Sequence, residues 1–205
     1  MPEESFSYKS LDTPVEGVIH KDRKSKFIGY AYPISSEADF KHILNTLKGK
    51  YADANHICYA WQLGQKDMNY RVQDDGEPRN SAGKPIHGQI NSFGITNIAV
   101  LVVRYFGGVK LGVGGLISAY KTTARETLLC GNIKEFEISL TYQLSFSYSQ
   151  MSAVMRNLEI IQAKIIHREL GEGAVLRVAV PKKRAMRFVE AMKRLQEVMV
   201  EEVSE

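Results

Sequence analysis

Cysteine is almost absent from this chain of 205 residues. Cys58 and Cys130 are the only two, and neither belongs to a CxxC pair. That excludes a disulfide framework and a paired-cysteine zinc site, and it reads as a reduced, cytosolic protein. No apolar run approaches the roughly 18 residues of a membrane span. The opening MPEESFSYKS has no basic stretch followed by an apolar one, so it does not read as a signal peptide. A dominant charge is missing too. Lys and Arg number 27 against 23 Asp and Glu, a net charge of +4, which permits an acidic partner without demanding one. There is no internal repeat and no low-complexity tract.

What is present is 44% hydrophobic residues, enough for a core in one or two domains. Residues 15–20 and 26–32 read as a strand pair. Ser36 and Asp39 have the spacing of a capping box opening a helix, with Phe40, Ile43, Leu44 and Leu47 as its apolar stripe and Gly49 as its end. Residues 56–63 alternate, with Ile57, Tyr59, Trp61 and Leu63 on one face. Residues 72–85 read as a loop, 86–93 as a short helix, 98–103 as a strand buried on both faces, and 116–129 as a helix. The composition shifts near residue 138, dividing the chain into 1–137 and 138–205. The second part reads strand 141–147, helix 150–158, strand 160–169, a Gly171–Gly173 hairpin turn, strand 174–180 and helix 183–198, with Phe188, Met192, Leu195 and Met199 inward. That βαββα order predicts a small ferredoxin-like domain, and the whole chain is α+β.

Three features carry candidate chemistry. The first is RYFGGVKLGVGGLISAYK, residues 104–121. It is neither a Walker loop, since Val113 follows Gly112, nor a GxGxxG fingerprint, since position 117 is isoleucine. A strand, a glycine loop and a helix start remain, and helix N-termini attract anions. Gly107, Gly108, Gly112, Gly114 and Gly115 either serve close packing or open a pocket, with Arg104 and Lys110 as flanking cations. The second feature is the acidic turn DDGEP, in which Asp74, Asp75 and Glu77 could hold a hard cation or simply face solvent. The third is a pair of basic clusters, one from His20 to Lys26 and one formed by Lys182, Lys183, Arg184 and Arg187, each also readable as a solvated face. His56 and Cys58 share a strand face, but side chains at i and i+2 stand about 7 Å apart, too far for a catalytic dyad. No second ligand pair completes a zinc site, and both cysteines read as buried structural residues.

Taken together, KSKF (24–27), HICYAW (56–61), DDGEP (74–78), SAGKPI (81–86) and VVRYFGGVKLGVGGLISAY (102–120) resemble the IMPACT family, most closely its bacterial YigZ-type members, over roughly residues 15–130. The chain after about 140 looks like the last domains of elongation factor G. The resemblance implies an N-terminal ribosomal-protein-like α/β sandwich. It also implies a link to translation control, which the eukaryotic members exert through protein–protein contact. It marks Asp74, Asp75, Glu77, Pro78, Gly83, Lys84, Arg104, Tyr105, Lys110 and the five glycines as motif positions. Arg79 and Asn80 depart from the family pattern, which has small residues after DDGEP.

The expectation is therefore a binding module without a required cofactor. It would contact structured RNA or the ribosome through Arg104, Lys110, Lys84 and the glycine-loop amides, with Lys182, Lys183, Arg184 and Arg187 widening the footprint. One alternative is a Mg-dependent phosphoryl-transfer or phosphohydrolase enzyme, with Asp74, Asp75 and Glu77 holding the metal opposite the glycine loop. It requires acidic turn and glycine loop to share one cleft. The other alternative is a module that binds a protein partner in translation control and no nucleic acid.

Overall fold

The computed structural model describes residues 5–64 and 69–203. The described residues fall into two compact units. One is residues 8–136; the other is residues 137–205 with the chain's start up to Ser7.

The first unit begins with β1 (Ser7–Leu11) and continues into the hairpin β2 (Val15–Asp22) and β3 (Ser25–Pro33). The hairpin turns through Arg23 and Lys24, both at positive φ, the twist that a two-residue β-turn demands. Helix α1 (Glu37–Lys50) opens on the expected capping box. It runs through Gly49, its expected end, and is capped at Tyr51. Strands β4 (His56–Leu63) and β5 (Asn69–Gln73) follow, then α2 (Gly83–Ser92). That helix starts three residues earlier than expected. Pro85 sits in its first turn, where a missing N–H costs no helix bond, and a side chain at Gly83 would strike the Gln73 amide at 2.6 Å. Strand β6 (Ile98–Tyr105), helix α3 (Gly112–Leu129) and β7 (Ile133–Glu137) complete the unit.

The sheet order is β2-β3-β6-β4-β5, and each neighbouring pair is antiparallel. β1 and β7 pair separately. β6 is the central strand and is buried on both faces, as its unbroken apolar run predicts. Val100 and Val102 face α2 and α3 beside Cys58, Ile86 and Tyr120. Leu101 and Val103 face α1 beside Tyr59, Trp61 and Phe40.

The second unit is β8 (Ser139–Phe146), α4 (Met151–Ile161), β9 (Lys164–Leu170), β10 (Ala174–Pro181), α5 (Ala185–Lys193) and β11 (Val198–Val203). Its sheet order is β11-β8-β10-β9, the ferredoxin-like topology with its fourth strand in place. The expected helix over 183–198 is shorter. It ends at Lys193, the chain turns at Glu197 with positive φ, and β11 pairs with β8, Val198 opposite Phe146. Met199 is therefore an exposed strand residue and not part of the core.

Candidate functional site

The acidic turn is held by its own carboxylates. Asp74 Oδ1 accepts from the amides of Ala82 and Gly83 at 3.0 and 2.8 Å, and its Oδ2 from Asn80 N at 2.8 Å. It thereby meets the first amides of α2, whose own N-cap, Ala82, has no side chain to do so. Asp75 Oδ2 accepts from Ile57 N at 2.6 Å. Its carbonyl lies 2.7 Å from His56 Nδ1. A carbonyl only accepts, so Nδ1 carries the proton.

Glu77 points inward, its side chain 3% exposed. Its Oε1 accepts from Arg104 Nη1 at 2.5 Å and from Tyr120 Oη at 2.8 Å, and His56 Nε2 lies 3.9 Å away. Cys58 Sγ approaches Tyr120 Oη at 3.2 Å and the Asp74 carbonyl at 3.0 Å. Burial drives the Cys58 thiol and the Tyr120 hydroxyl far above their ordinary ionisation ranges, so Cys58 is no thiolate nucleophile. Cys130, expected to be buried, is exposed at the end of α3.

The carboxylates of the acidic turn are thus spent on amides, a guanidinium and a phenol. Among the described residues no group of three or more His, Cys, Asp or Glu is placed to hold a metal ion. The cation arrangement expected for Asp74, Asp75 and Glu77 does not fit the oxygens they present. The acidic turn and the glycine loop do share one cleft, because Glu77 and Pro78 line a cavity with Lys110 and Gly112.

Arg104, expected as a phosphate contact, is a buried residue at the end of β6, 5% exposed. Besides its bond to Glu77, Nη2 donates to Ser25 Oγ at 3.4 Å. The guanidinium lies between the rings of Phe27 and Phe106, 5.4 and 5.6 Å from their centroids. Its charge is compensated inside the protein.

The glycines divide. A side chain at Gly107 would overlap the backbone of Lys24 and Ser25, so this glycine is a close-packing corner. Gly112 has positive φ and open space around it. It begins α3, which therefore takes Gly112, Gly114 and Gly115 into its first turn, four residues before the expected start. The N-cap of α3 is Leu111, with no side-chain cap. Lys110 is exposed and lines the cavity.

Contact at Gly107 has a consequence that sequence reasoning missed. It sets the β2–β3 turn, with exposed Lys21, Arg23 and Lys24, against the loop that carries Lys110. The KSKF motif at that turn was the available signal. Lys84 is exposed on α2 and does not line the cavity. In the other unit, Lys183 pairs with Glu137, Arg184 holds the Ile161 carbonyl at 2.9 Å, and Lys182 lies over Phe6. Arg187 is exposed.

Residues 23–128 match the family described as the Impact N-terminal domain, more than half of the chain. The chain belongs to the IMPACT family. The IMPACT family member YigZ of Escherichia coli (strain K12) is 31% identical over 173 residues, 83% of this chain and 85% of that one. The member YvyE of Bacillus subtilis (strain 168) is 29% identical over 172 residues, 84% and 79% of the two chains. A solved structure described as a hypothetical protein superposes with a TM-score of 0.76 at 27% identity, covering 98% of this chain and all of its own. This protein is thus of the bacterial YigZ type. The matched IMPACT segment contains the Glu77–Arg104–Tyr120 network, the cavity and the Arg23–Lys24 turn, whereas Lys182–Arg187 lies outside it.

Proposed function

We propose that this IMPACT-family protein is a translation-associated regulatory binding protein. It engages the phosphates of structured RNA, free or in the ribosome, through a cationic rim formed by Lys21, Arg23 and Lys24 of the β2–β3 turn and Lys110 of the glycine loop. One observation carries the reading: the backbone-to-backbone contact at Gly107 joins two basic segments that lie about eighty residues apart in sequence. The α3 N-terminus without a side-chain cap adds a partial positive charge at the same place. Arg104 serves the rim from within, as a positioning residue that holds Ser25. The resemblance to eukaryotic translation regulators supports the cellular setting.

The test is binding to ribosomal subunits and to a structured RNA hairpin at two salt concentrations. The wild type is compared with Arg23→Gln/Lys24→Gln/Lys110→Gln, which preserves side-chain length at the positive-φ turn. Wild-type binding is expected to weaken steeply with salt. The triple variant should lose affinity and shallow the logarithmic salt slope by about three, roughly one per cation removed. Absence of binding at both salt concentrations refutes the reading and turns attention to a protein partner.

A further inference from the structure

The cavity beside the rim has a volume of about 380 Å³, within the usual range for small-ligand sites. Its walls are of three kinds. Phe106 and Val113, 45% and 52% exposed, form an apolar side with Leu111 and Leu116 behind them. A large aromatic left this open at a cavity mouth offers a ring on which a base can stack, and the Arg104 guanidinium lies 5.6 Å from its centroid. The second wall is a hydrogen-bonding edge. His56 Nδ1–H is spent on the Asp75 carbonyl, and in the neutral ring Nε2, 3.9 Å from Glu77 Oε1, is an acceptor. Asn55 Oδ1 accepts from Phe106 N at 2.7 Å, which leaves its NH₂ group as a donor. The third is cationic: Lys110 and the start of α3 at Gly112 and Val113. Arg104, its side chain 6% exposed, also lines the cavity, and its buried Nε has no hydrogen-bond partner.

An apolar surface, a donor and an acceptor on adjacent residues, and a cation match the three parts of a nucleotide. We propose that this cavity binds a single unpaired nucleoside phosphate, its base against Phe106 and Val113, its base edge at Asn55 and His56, and its phosphate at Lys110 and the first turn of α3. The proposal rests on the reading of the rim as an RNA-binding surface. It adds to that reading a preference for an unstacked nucleotide, which a phosphate-only surface does not have.

The experiment uses the full chain and two RNA hairpins identical except for one bulged nucleotide. It is accompanied by NMR titration of the protein with adenosine and uridine monophosphates. The bulged hairpin is expected to bind about tenfold more tightly than the flush one, the scale of one base–aromatic stack. Phe106→Ala, at a half-exposed position where truncation leaves the core intact, should abolish that preference. Equal binding of both hairpins by the wild type overturns the nucleotide site and leaves the rim standing, as does a preference that persists in Phe106→Ala. If neither hairpin binds, the monophosphates decide. Shifts confined to Asn55, His56 and Val113 support a site for the free nucleotide and reject the rim, and no shifts overturn the site as well.

Discussion

The two units bury different kinds of residue. In residues 8–136 the interior includes Ser25, Gln62, Glu77, Ser81, Arg104 and Thr123, and Glu77 and Arg104 are charged. Among the described residues of 137–205, the buried set holds no charged residue and is apolar but for the Tyr142 phenol, built on Leu144, Leu176, Val178, Phe188 and Met192. The first unit packs helices on both faces of its sheet and the second has a single core, yet the second closes with no charged residue among its described buried residues. Removing charge from water is expensive, and a buried pair seldom repays the cost in stability. The charged pair of the first unit, Glu77 and Arg104, instead lines the cavity beside the glycine loop.

The sharpest way to break that contrast is Arg104→Met. It leaves the Glu77 carboxylate buried with the Tyr120 hydroxyl and, at 3.9 Å, the His56 ring, and it should destabilise the protein by about 3–5 kcal/mol. Trp61 is the only tryptophan and lies buried on β4, so its emission during urea unfolding of the full chain reports this unit. The double variant Arg104→Met/Glu77→Leu should recover more than half of the loss, because an apolar pair of similar volume often replaces a buried ion pair at little cost. A double variant as unstable as the single one would make the network a structural necessity.

The contrast also explains what could be read from sequence. The capping box at Ser36 and Asp39, the two-faced strand at 56–63 and the buried run at 98–103 follow from patterns a few residues long, and each appears where expected. The second unit was legible except for β11 and for the end of α4, which takes Ile160 and Ile161 from the strand expected over 160–169. There Met192, Leu195 and Met199 prolonged a helical spacing, and no glycine or proline marked the turn at Glu197. The start of α3 was hidden because glycine is a poor helix residue, and four residues of the turn's signal were spent on it. The site itself was least legible. Glu77 and Arg104 meet because the register sets Phe27 and His56 opposite Arg104, and that register is a property of the whole sheet. Arg104 and Lys110 both flank the glycine loop, but which of them faces solvent depends on strand burial that no local spacing encodes.

A smaller effect is expected in the second unit. Val178→Thr keeps the volume and places one hydroxyl in an interior whose buried residues, among those described, are apolar apart from the Tyr142 phenol at its edge, bonded to Glu202. The cost should be about 1–3 kcal/mol, the penalty for burying an unmatched hydroxyl, read as a lower far-UV circular dichroism midpoint in urea. A neutral result would mean that the apolar character of this core is incidental, and the contrast between the units would lose its force.

The smallest effect concerns helix ends, where the comparison runs within and between units. α1 has Ser36 and Asp39, α2 has Asp74, and α3, α4 and α5 have no side-chain cap. Hydrogen bonds from the Ser35 hydroxyl and amide, and then from Ser36, hold the Asp39 carboxyl below the usual carboxylate range. The folded state therefore prefers the ionised form. The stabilisation is fully present above the unfolded carboxyl pKa of about 4 and is lost as the pH falls through the lower folded value. Asp39→Asn removes the charge-assisted acceptor and should cost about 1 kcal/mol at neutral pH, the usual scale of an exposed cap. The gap to the wild type should close only once the pH has fallen below the lowered folded pKa, where the wild-type residue is itself neutral. Measured by amide exchange, the added opening should be confined to the first turns of α1 and leave α4 and α5 untouched. A gap that stayed constant with pH would show that Asp39 acts through shape alone, and that the charge at this helix start does nothing for the fold.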